Sequence, residues 1–391
     1  MKSENSLQDS SGSGRSVSLN GIGGLAGKGE VKRLYYLDYA RGLGIILVVL
    51  AHIQYISEPL RIFLVSFHIP LFFIISGFLI NIKNEAGRAL KDILSGKFRR
   101  MLIPYYVYSV LDMLIYAIYF FITGRDGGLS TIMLALVQTL TFYGYSVLWF
   151  LPAIFFGELF FLWIKRLMPR ACHIVLALSA MLSFWINPGL EAWNMVNGNA
   201  VIPAILHLVA VTLLRIPLSA AFVGIGYYIA ALWKKAGGLS PLKSSALTVP
   251  VDFLLSINLF LVCFFLGRIN GMTDLHFLLL GNFFLYYIVA TAGSLGVILL
   301  CKAVSGLRTN FFYKLLSLYG RESLFIMATH IDFYVLLMAE IGGQLFTKPL
   351  PAGDLKNTVF ILLTLFFTML GETVMVLMKK KFFVKSQELS S

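Results

Sequence analysis

Apolar residues along this chain fall in long runs, each close to the length that crosses a lipid bilayer. A membrane-spanning helix needs about 20 mostly apolar residues. Two further apolar stretches, 132–143 and 202–214, are short or flanked by prolines, and each predicts an interfacial or re-entrant helix. The segments that predict full spans are about 35–57, 62–82, 102–123, 146–164, 172–187, 216–233, 248–267, 279–301, 323–341 and 357–378. The pattern predicts an all-α polytopic transmembrane helix bundle of about ten spans.

Basic residues orient these spans. Lysine and arginine concentrate in the cytoplasmic connections of membrane proteins. If the N-terminus is cytoplasmic, most of the 32 Lys and Arg residues fall on the inside, and both termini are cytoplasmic. Counting either short apolar stretch as a full span would reverse the orientation of every later segment, and the excess of basic residues on the inside would be lost. The predicted organisation is a disordered, Ser- and Gly-rich cytoplasmic tail (1–32), a membrane domain (33–381) and a short cytoplasmic tail (382–391).

The composition agrees with a membrane protein and indicates which kinds of partner to expect. Hydrophobic residues make up 58% of the 391 residues and charged residues 13%, whereas soluble domains carry about 25% charged residues. The formal net charge of +13 follows the orientation of the spans, so we expect membrane lipids as partners and no nucleic acid. The three cysteines lie in apolar runs without metal-like spacing, and we expect neither disulfides nor a metal site.

Ionisable residues inside the spans are costly and mark functional sites by default. Arg41 and His52 are eleven residues apart, which places them on one helix face about 16 Å apart along the axis. Asp38, three residues before Arg41, predicts an ion pair. Gly42 and Gly44 permit close helix packing. The residues singled out within the spans are Asp38, Arg41, His52, His68, Glu158, His330, Asp332 and Glu372.

Two histidines lie eight residues on either side of a predicted turn near Leu60. His52 and His68 should therefore lie at similar depth and face a common cavity. A neutral imidazole can take a proton from a hydroxyl near physiological pH. The alternative is that both histidines only form hydrogen bonds that hold helices together.

Other polar residues allow two interpretations each. Lys97, Arg99 and Arg100 precede the third span and could hold phosphates, or they could only orient the chain. Ser323 and His330 are seven residues apart, hence on one face, which we expect to lie toward the cytoplasmic side. Glu372 stays without an assigned role.

Five stretches taken together resemble the integral-membrane acyltransferase family of type 3, which contains bacterial sugar O-acetylases and Nod-factor acetylases. They cover roughly residues 33–380 and occur in the family's order. The resemblance is greatest to the branch that is similar to fucose 4-O-acetylases. The stretches are YLDYARGLGIILVVLAH, SFHIPLFFIISGFL, KFRRMLIPYY, LWFLPAIFF and YGRESLFIMATH.

The resemblance implies a multi-pass enzyme of the bacterial plasma membrane. Such an enzyme moves an acetyl or other acyl group from cytoplasmic acyl-CoA to a hydroxyl of an envelope or secreted glycan. The family's matching positions are Arg41, His52, His68, Lys97 to Arg100, Trp149 and His330. We expect catalytic roles for Arg41, which stabilises charge, and for His52, with His68 and Glu158 orienting the histidine. We expect cofactor binding by Lys97, Arg99, Arg100 and Asp38, and substrate binding by Trp149, His330, Ser323 and Ser76.

Two alternatives from other classes remain. A glycan or lipid transporter would use buried charges and histidines equally well, as a proton relay. A membrane scaffold would leave the charges of the first span unexplained. A homo-oligomer is left open, as is the choice between a covalent acyl-histidine and direct transfer.

Overall fold

The computed structural model of the protein describes residues 33–124, 127–237, 248–305 and 311–388. Within these ranges the chain is helical and contains no β-strand. The predicted disordered tail, 1–32, lies outside the described residues. The helices are α1 (Tyr35–His52), α2 (Glu58–Val65), α3 (His68–Ile82), α4 (Leu90–Lys97), α5 (Ile103–Thr123), α6 (Gly128–Leu140), α7 (Phe150–Leu167), α8 (Cys172–Asn197), α9 (Val201–Lys235), α10 (Thr248–Asn270), α11 (Phe283–Val304), α12 (Phe311–Arg321), α13 (Ser323–Thr329), α14 (Val335–Thr347) and α15 (Asp354–Glu388).

Eight helical segments in the described ranges are long and apolar enough to cross a membrane. They coincide with eight of the ten predicted spans, and α2 with α3 forms one of them. The first predicted span corresponds to α1, which has 18 residues and includes Asp38 and Arg41. The ninth is divided into α13 and α14 by a turn at 330–334. The all-α polytopic class is confirmed.

The two short apolar stretches have different outcomes. Residues 132–143 belong largely to α6, a helix of 13 residues that packs on α5. The Tyr105 hydroxyl of α5 donates to the Thr139 carbonyl near the end of α6, at 2.9 Å. The expectation of a separate short helix at 202–214 is wrong, because α9 continues through Pro217 for 35 residues. Contacts with α3, α7 and α8 hold α9 together despite the backbone N–H that proline lacks.

Close backbone contacts join the central helices. A Cβ atom at Gly77 of α3 would collide with the Val223 carbonyl of α9, and one at Gly226 of α9 with the Ile74 carbonyl of α3. Gly42 of α1 meets the backbone of α12 in the same way. This confirms that Gly42 permits close packing. Small residues let membrane helices approach until their backbones touch, so α1 and α3 are held firmly where they carry the polar residues.

Candidate active site

Three histidines lie where α1 ends, α3 begins and α13 ends. The Nδ1 atom of His52 lies 2.8 Å from the Val48 carbonyl, that of His68 lies 2.8 Å from the Leu64 carbonyl, and that of His330 lies 2.9 Å from the Ile326 carbonyl. A carbonyl only accepts hydrogen bonds, so each Nδ1 carries the proton and donates. Each neutral ring therefore has its lone pair on Nε2, the state that a general base requires.

Exposure separates the roles of these rings. The His52 and His330 rings lie 5.3 Å apart, centroid to centroid, in an edge-to-face arrangement. His330 is fully buried, and its Nε2 has no hydrogen-bond partner among the described residues. His52 is exposed. His52 is therefore the ring that can reach a substrate, and His330 lies behind it.

The expectation for Ser323 and His330 is corrected in part. They do not lie together on one helix face, because α13 ends at Thr329 and His330 lies beyond its end. His330 lies beside His52. Ser323 is buried at the opposite end of α13, its hydroxyl has no partner among the described residues, and it lines none of the cavities described below.

A cavity of about 510 Å³ opens in front of His52 and His68, so the two residues face a common cavity as expected. The prediction of a turn near Leu60 is wrong, because Leu60 lies within α2 and the turn lies at 53–57, directly after His52. We call it the histidine cavity. Trp149 lies in its wall with its ring stacked flat on His276, at 5.2 Å between centroids and 1° between planes. The polar side chains in the wall are His52, His68, Gln138, Tyr143, Tyr145, Ser146, Trp149, Thr273, Asp274, His276 and Tyr286.

Arg215 of α9 supports this wall. It is 1% exposed, and it donates to the Tyr143 carbonyl at 2.7 Å and to the His276 carbonyl at 2.9 Å. Its guanidinium lies over the rings of Tyr143 and Trp149, at 4.4 and 5.4 Å from their centroids. Burial and the nearby Arg215 charge lower the pKa of His276, in the loop between α10 and α11, to about 3. The His276 ring therefore stays neutral against Trp149.

A second cavity, of about 260 Å³, lies toward the other end of α1, and we call it the basic cavity. Five cationic side chains face three carboxylates in its lining, so its charge is net positive. Arg41 is one of the five, and its charge interacts with those of Asp38 and Glu158. The charged lining residues are Arg41, Lys83, Arg88, Lys97, Arg100, Glu85, Asp92 and Glu158.

Glu158 lies in the basic cavity, so its expected part in orienting His52 is wrong. It is 2% exposed, pairs with Lys97 and accepts a hydrogen bond from Ser76. Lys97 also pairs with Glu85 at 2.9 Å. A buried carboxylate needs such partners, and the Nδ1 of His52 is already bound to a backbone carbonyl. Ser76 is thus placed beside Glu158, away from the histidines.

Two further charged residues differ from expectation. Asp38 pairs with Arg33 at 2.7 Å, not with Arg41, and it lines neither cavity. Arg99 is exposed and also lines neither cavity, whereas the neighbouring Arg100 lines the basic cavity. Both arginines belong to a π-helical turn, Phe98–Leu102, between α4 and α5.

An aromatic wall separates the two cavities. Phe150, the first residue of α7, lines both of them. Its ring lies 5.7 Å from the Phe72 ring and 5.4 Å from the Phe73 ring of α3, centroid to centroid. Arg41 and His52 stand on opposite sides of this wall, about three helical turns apart on one helix.

One comparison with known proteins gives a match. The family model described as an acyltransferase domain, Acyl_transf_3, matches residues 34–377, which is most of the described chain. The chain belongs to the acyltransferase 3 family. A search of curated proteins and a search of solved structures gave no match. The predicted resemblance is confirmed, and this acyltransferase is a multi-pass membrane protein.

Several residues around the candidate site of this acyltransferase were not identified, or were given no role, from the sequence. Arg215 lies between the short stretch 202–214 and the predicted span 216–233, and a charge pattern cannot show that its guanidinium lies over two aromatic rings. Glu372 was left unassigned, and it accepts a hydrogen bond from Thr329, next to His330, at 2.9 Å. Asp112 of α5 is 1% exposed. It could have been identified from the sequence, because it is a carboxylate within an apolar run, like the residues singled out in other spans.

Proposed function

We propose that this acyltransferase moves an acetyl group from acetyl-CoA to a hydroxyl group of an envelope or secreted glycan. The supporting observation is the pairing of the two cavities across one aromatic wall. The basic cavity offers cationic side chains suited to the phosphates of a coenzyme A thioester. The histidine cavity offers an imidazole with a free Nε2 lone pair. The family membership favours acyl transfer over the transporter and scaffold alternatives.

In this proposal the donor binds with its phosphates at Arg41, Arg88 and Arg100. The pantetheine arm extends past Phe150 and brings the thioester carbonyl to His52. The separation of Arg41 from His52 along α1 gives Arg41 a role in donor binding. Arg41 does not reach the carbonyl in this arrangement, so groups in the histidine cavity, and not Arg41, stabilise the charge that develops on the carbonyl oxygen.

In the transfer step, one proton moves from the acceptor hydroxyl to His52 and then to the leaving thiolate. His52 Nε2 removes the proton of the acceptor hydroxyl, and the oxygen attacks the thioester carbonyl. The C–S bond breaks, the oxygen–acyl bond forms, and the imidazolium returns the proton to the leaving thiolate as CoA–SH. His330 packs against the ring of His52, which is positively charged between the two proton transfers. A covalent route instead places the acyl group on His52 Nε2 first and transfers it to the hydroxyl second.

The test uses inverted membrane vesicles of the native host, which hold the native acceptor, and acetyl-CoA labelled in the acetyl group. Label should enter glycan with the wild type and fall at least about a hundredfold with His52→Ala. His173→Ala removes an exposed histidine that lines neither of these two cavities, and it should leave the rate unchanged. Equal expression is checked for each variant.

Three results would contradict this proposal. They are no transfer by the wild type, full activity of His52→Ala, or equal losses in His52→Ala and His173→Ala. The covalent route is tested separately, by incubating the protein with labelled donor and no acceptor. Label bound to histidine would support the acyl-enzyme, and its absence under all conditions would support direct transfer.

A bacterial plasma membrane location is part of the proposal, with the basic cavity open to the cytoplasm, where acyl-CoA is made.

A further inference from the structure

A third cavity, of about 280 Å³, meets the histidine cavity at His52. His52, Ser146 and Ile331 line both cavities. The other lining residues come mainly from the turn between α13 and α14 and from α14. We call this the carboxyl cavity, because Asp332 and Glu340 lie in its wall.

Asp332 lines this cavity and carries a buried oxygen without a hydrogen-bond partner in the described part of the chain. It is 5% exposed, and its Oδ2 has no hydrogen-bond partner among the described residues. The Ser146 hydroxyl hydrogen-bonds to the same carboxyl group. A buried polar atom without a partner costs free energy, and native proteins keep few of them. A ligand that donates a hydrogen bond to Oδ2 would remove that cost.

A second carboxyl group lies behind the first. Asp112 of α5 is 1% exposed, its Oδ1 also has no partner among the described residues, and it is close enough to Asp332 for the two charges to interact. Glu340 differs, because its Oε1 already accepts a hydrogen bond from the Gln54 backbone N–H at 3.1 Å. The two aspartates therefore hold the unused acceptors.

Aromatic rings complete the cavity. Tyr116 lies 5.7 Å from Tyr145 and 6.4 Å from Tyr334, centroid to centroid, and Tyr116 and Tyr334 line the cavity directly. Ser146 and Tyr334 both have positive φ angles, of 48° and 58°. A non-glycine residue rarely adopts this conformation, and such residues cluster at binding and catalytic sites.

We infer that the carboxyl cavity binds the acceptor, and that the acceptor is a sugar held through its hydroxyl groups. This inference rests on the proposed function. A hydroxyl donates to the free oxygen of Asp332, Asp112 lies behind that carboxyl group, and the tyrosine rings pack against the apolar faces of the sugar. Asp332 holds one hydroxyl at His52 Nε2 from the carboxyl cavity, while the thioester approaches the same ring from the histidine cavity.

The test compares Asp332→Asn with Asp252→Asn. The first substitution keeps the shape of the side chain but replaces a carboxylate acceptor. The second removes a carboxylate that pairs with Lys302 at 2.8 Å and lines none of the three cavities. Two quantities are measured, the rate of label transfer from acetyl-CoA to glycan in native vesicles and the Kd of labelled acetyl-CoA for the purified protein.

We expect Asp332→Asn to lower the transfer rate at least about tenfold and to keep the Kd of acetyl-CoA within about twofold of the wild-type value. Asp252→Asn should change neither. Unchanged transfer by Asp332→Asn would overturn the inference, and so would a parallel loss of transfer and donor binding. Failure of the proposed function is distinguishable, because the wild type would then transfer no label at all.

Leu337→Trp is a second variant that leaves both aspartates in place. Leu337 is exposed and lines the cavity, so a larger ring there should obstruct it and also lower transfer with unchanged donor binding. Full activity of Leu337→Trp would contradict the inference that the acceptor binds in the carboxyl cavity. Glucose and glucosamine, added separately at high concentration, probe the ligand class. Inhibition by glucose supports a hydroxyl site, whereas inhibition by glucosamine alone would assign the aspartates to an ammonium group.

Discussion

Arg99 and Arg100 are neighbours in one π-helical turn, and both are exposed, but only Arg100 lines the basic cavity. Arg100→Ala should therefore raise the KM for acetyl-CoA about tenfold, since a charge-assisted hydrogen bond to phosphate contributes about 1.5–3 kcal/mol. Arg99→Ala is the matched control and should change the KM by less than about twofold. The measurement is the initial rate of transfer against donor concentration in inverted vesicles. Equal effects of the two variants would show that these residues act only through the general positive charge of this surface.

His276 gives a prediction about acid stability. Its pKa is held at about 3 by burial and by Arg215, well below the value of about 6.5 in an unfolded chain. Between these two pH values the unfolded chain binds a proton at His276 that the folded protein does not bind. The free energy of unfolding therefore falls as the pH drops from about 6.5 toward 3. His276→Gln removes this proton uptake, so its midpoint of thermal unfolding in detergent should fall less between pH 7 and pH 4.5 than that of the wild type. Parallel curves for the two proteins would contradict the low pKa.

Individual residues of the site were partly predictable. His52 and His68 face one cavity, as predicted, but the reason differs, because the turn lies at 53–57 and Leu60 lies within α2. Asp38 and Arg41 have helical spacing for a pair, yet Asp38 binds Arg33, which no helix periodicity would identify. Glu158 was correctly placed within the membrane domain, but its partners, Lys97 and Ser76, come from distant positions in the sequence.

Helix packing gives a prediction at the scale of elements. A Cβ atom at Gly226 would overlap the backbone of α3, whereas one at Gly189 in α8 would meet no atom within 4 Å. Gly226→Ala should therefore destabilise the protein by about 1–3 kcal/mol, and Gly189→Ala should not destabilise it, because alanine favours helix. The midpoint of thermal unfolding in detergent compares the two. A Gly226→Ala protein as stable as the wild type would mean that α3 and α9 can separate without cost.

The elements themselves were largely predictable, because long apolar runs have few alternatives in a membrane. The exceptions have physical causes. Pro217 suggested a boundary, but packing on both sides keeps α9 continuous. The ninth predicted span is apolar enough to look continuous, yet the turn at 330–334 divides it and places His330 beside His52. Such a break depends on tertiary contacts that hydropathy does not contain.

At the scale of the whole molecule, the proposal requires the basic cavity and the carboxyl cavity to open on opposite sides of the membrane. Lys91, in α4, and Gln54, in the wall of the carboxyl cavity, are both exposed. The three native cysteines are buried, so they should give little background with a thiol reagent. A membrane-impermeant maleimide should label Lys91→Cys in inside-out vesicles and Gln54→Cys in right-side-out vesicles. Labelling of both variants from the same side would contradict the predicted orientation.

The short helix α6 has a consequence for how this protein is made. Thirteen helical residues extend only about 20 Å, less than the roughly 30 Å of a bilayer's hydrocarbon core. The helix nevertheless ends against Tyr105 of α5, and the segment that follows it forms part of the wall around His52. A helix of this length is too short to insert into the membrane on its own as a full span. We therefore expect it to settle only after α5 and α7 are in place, which makes the active site one of the last parts of the newly synthesised chain to form. A pulse-labelled chain would then become protected from protease at its long helices before it acquires activity.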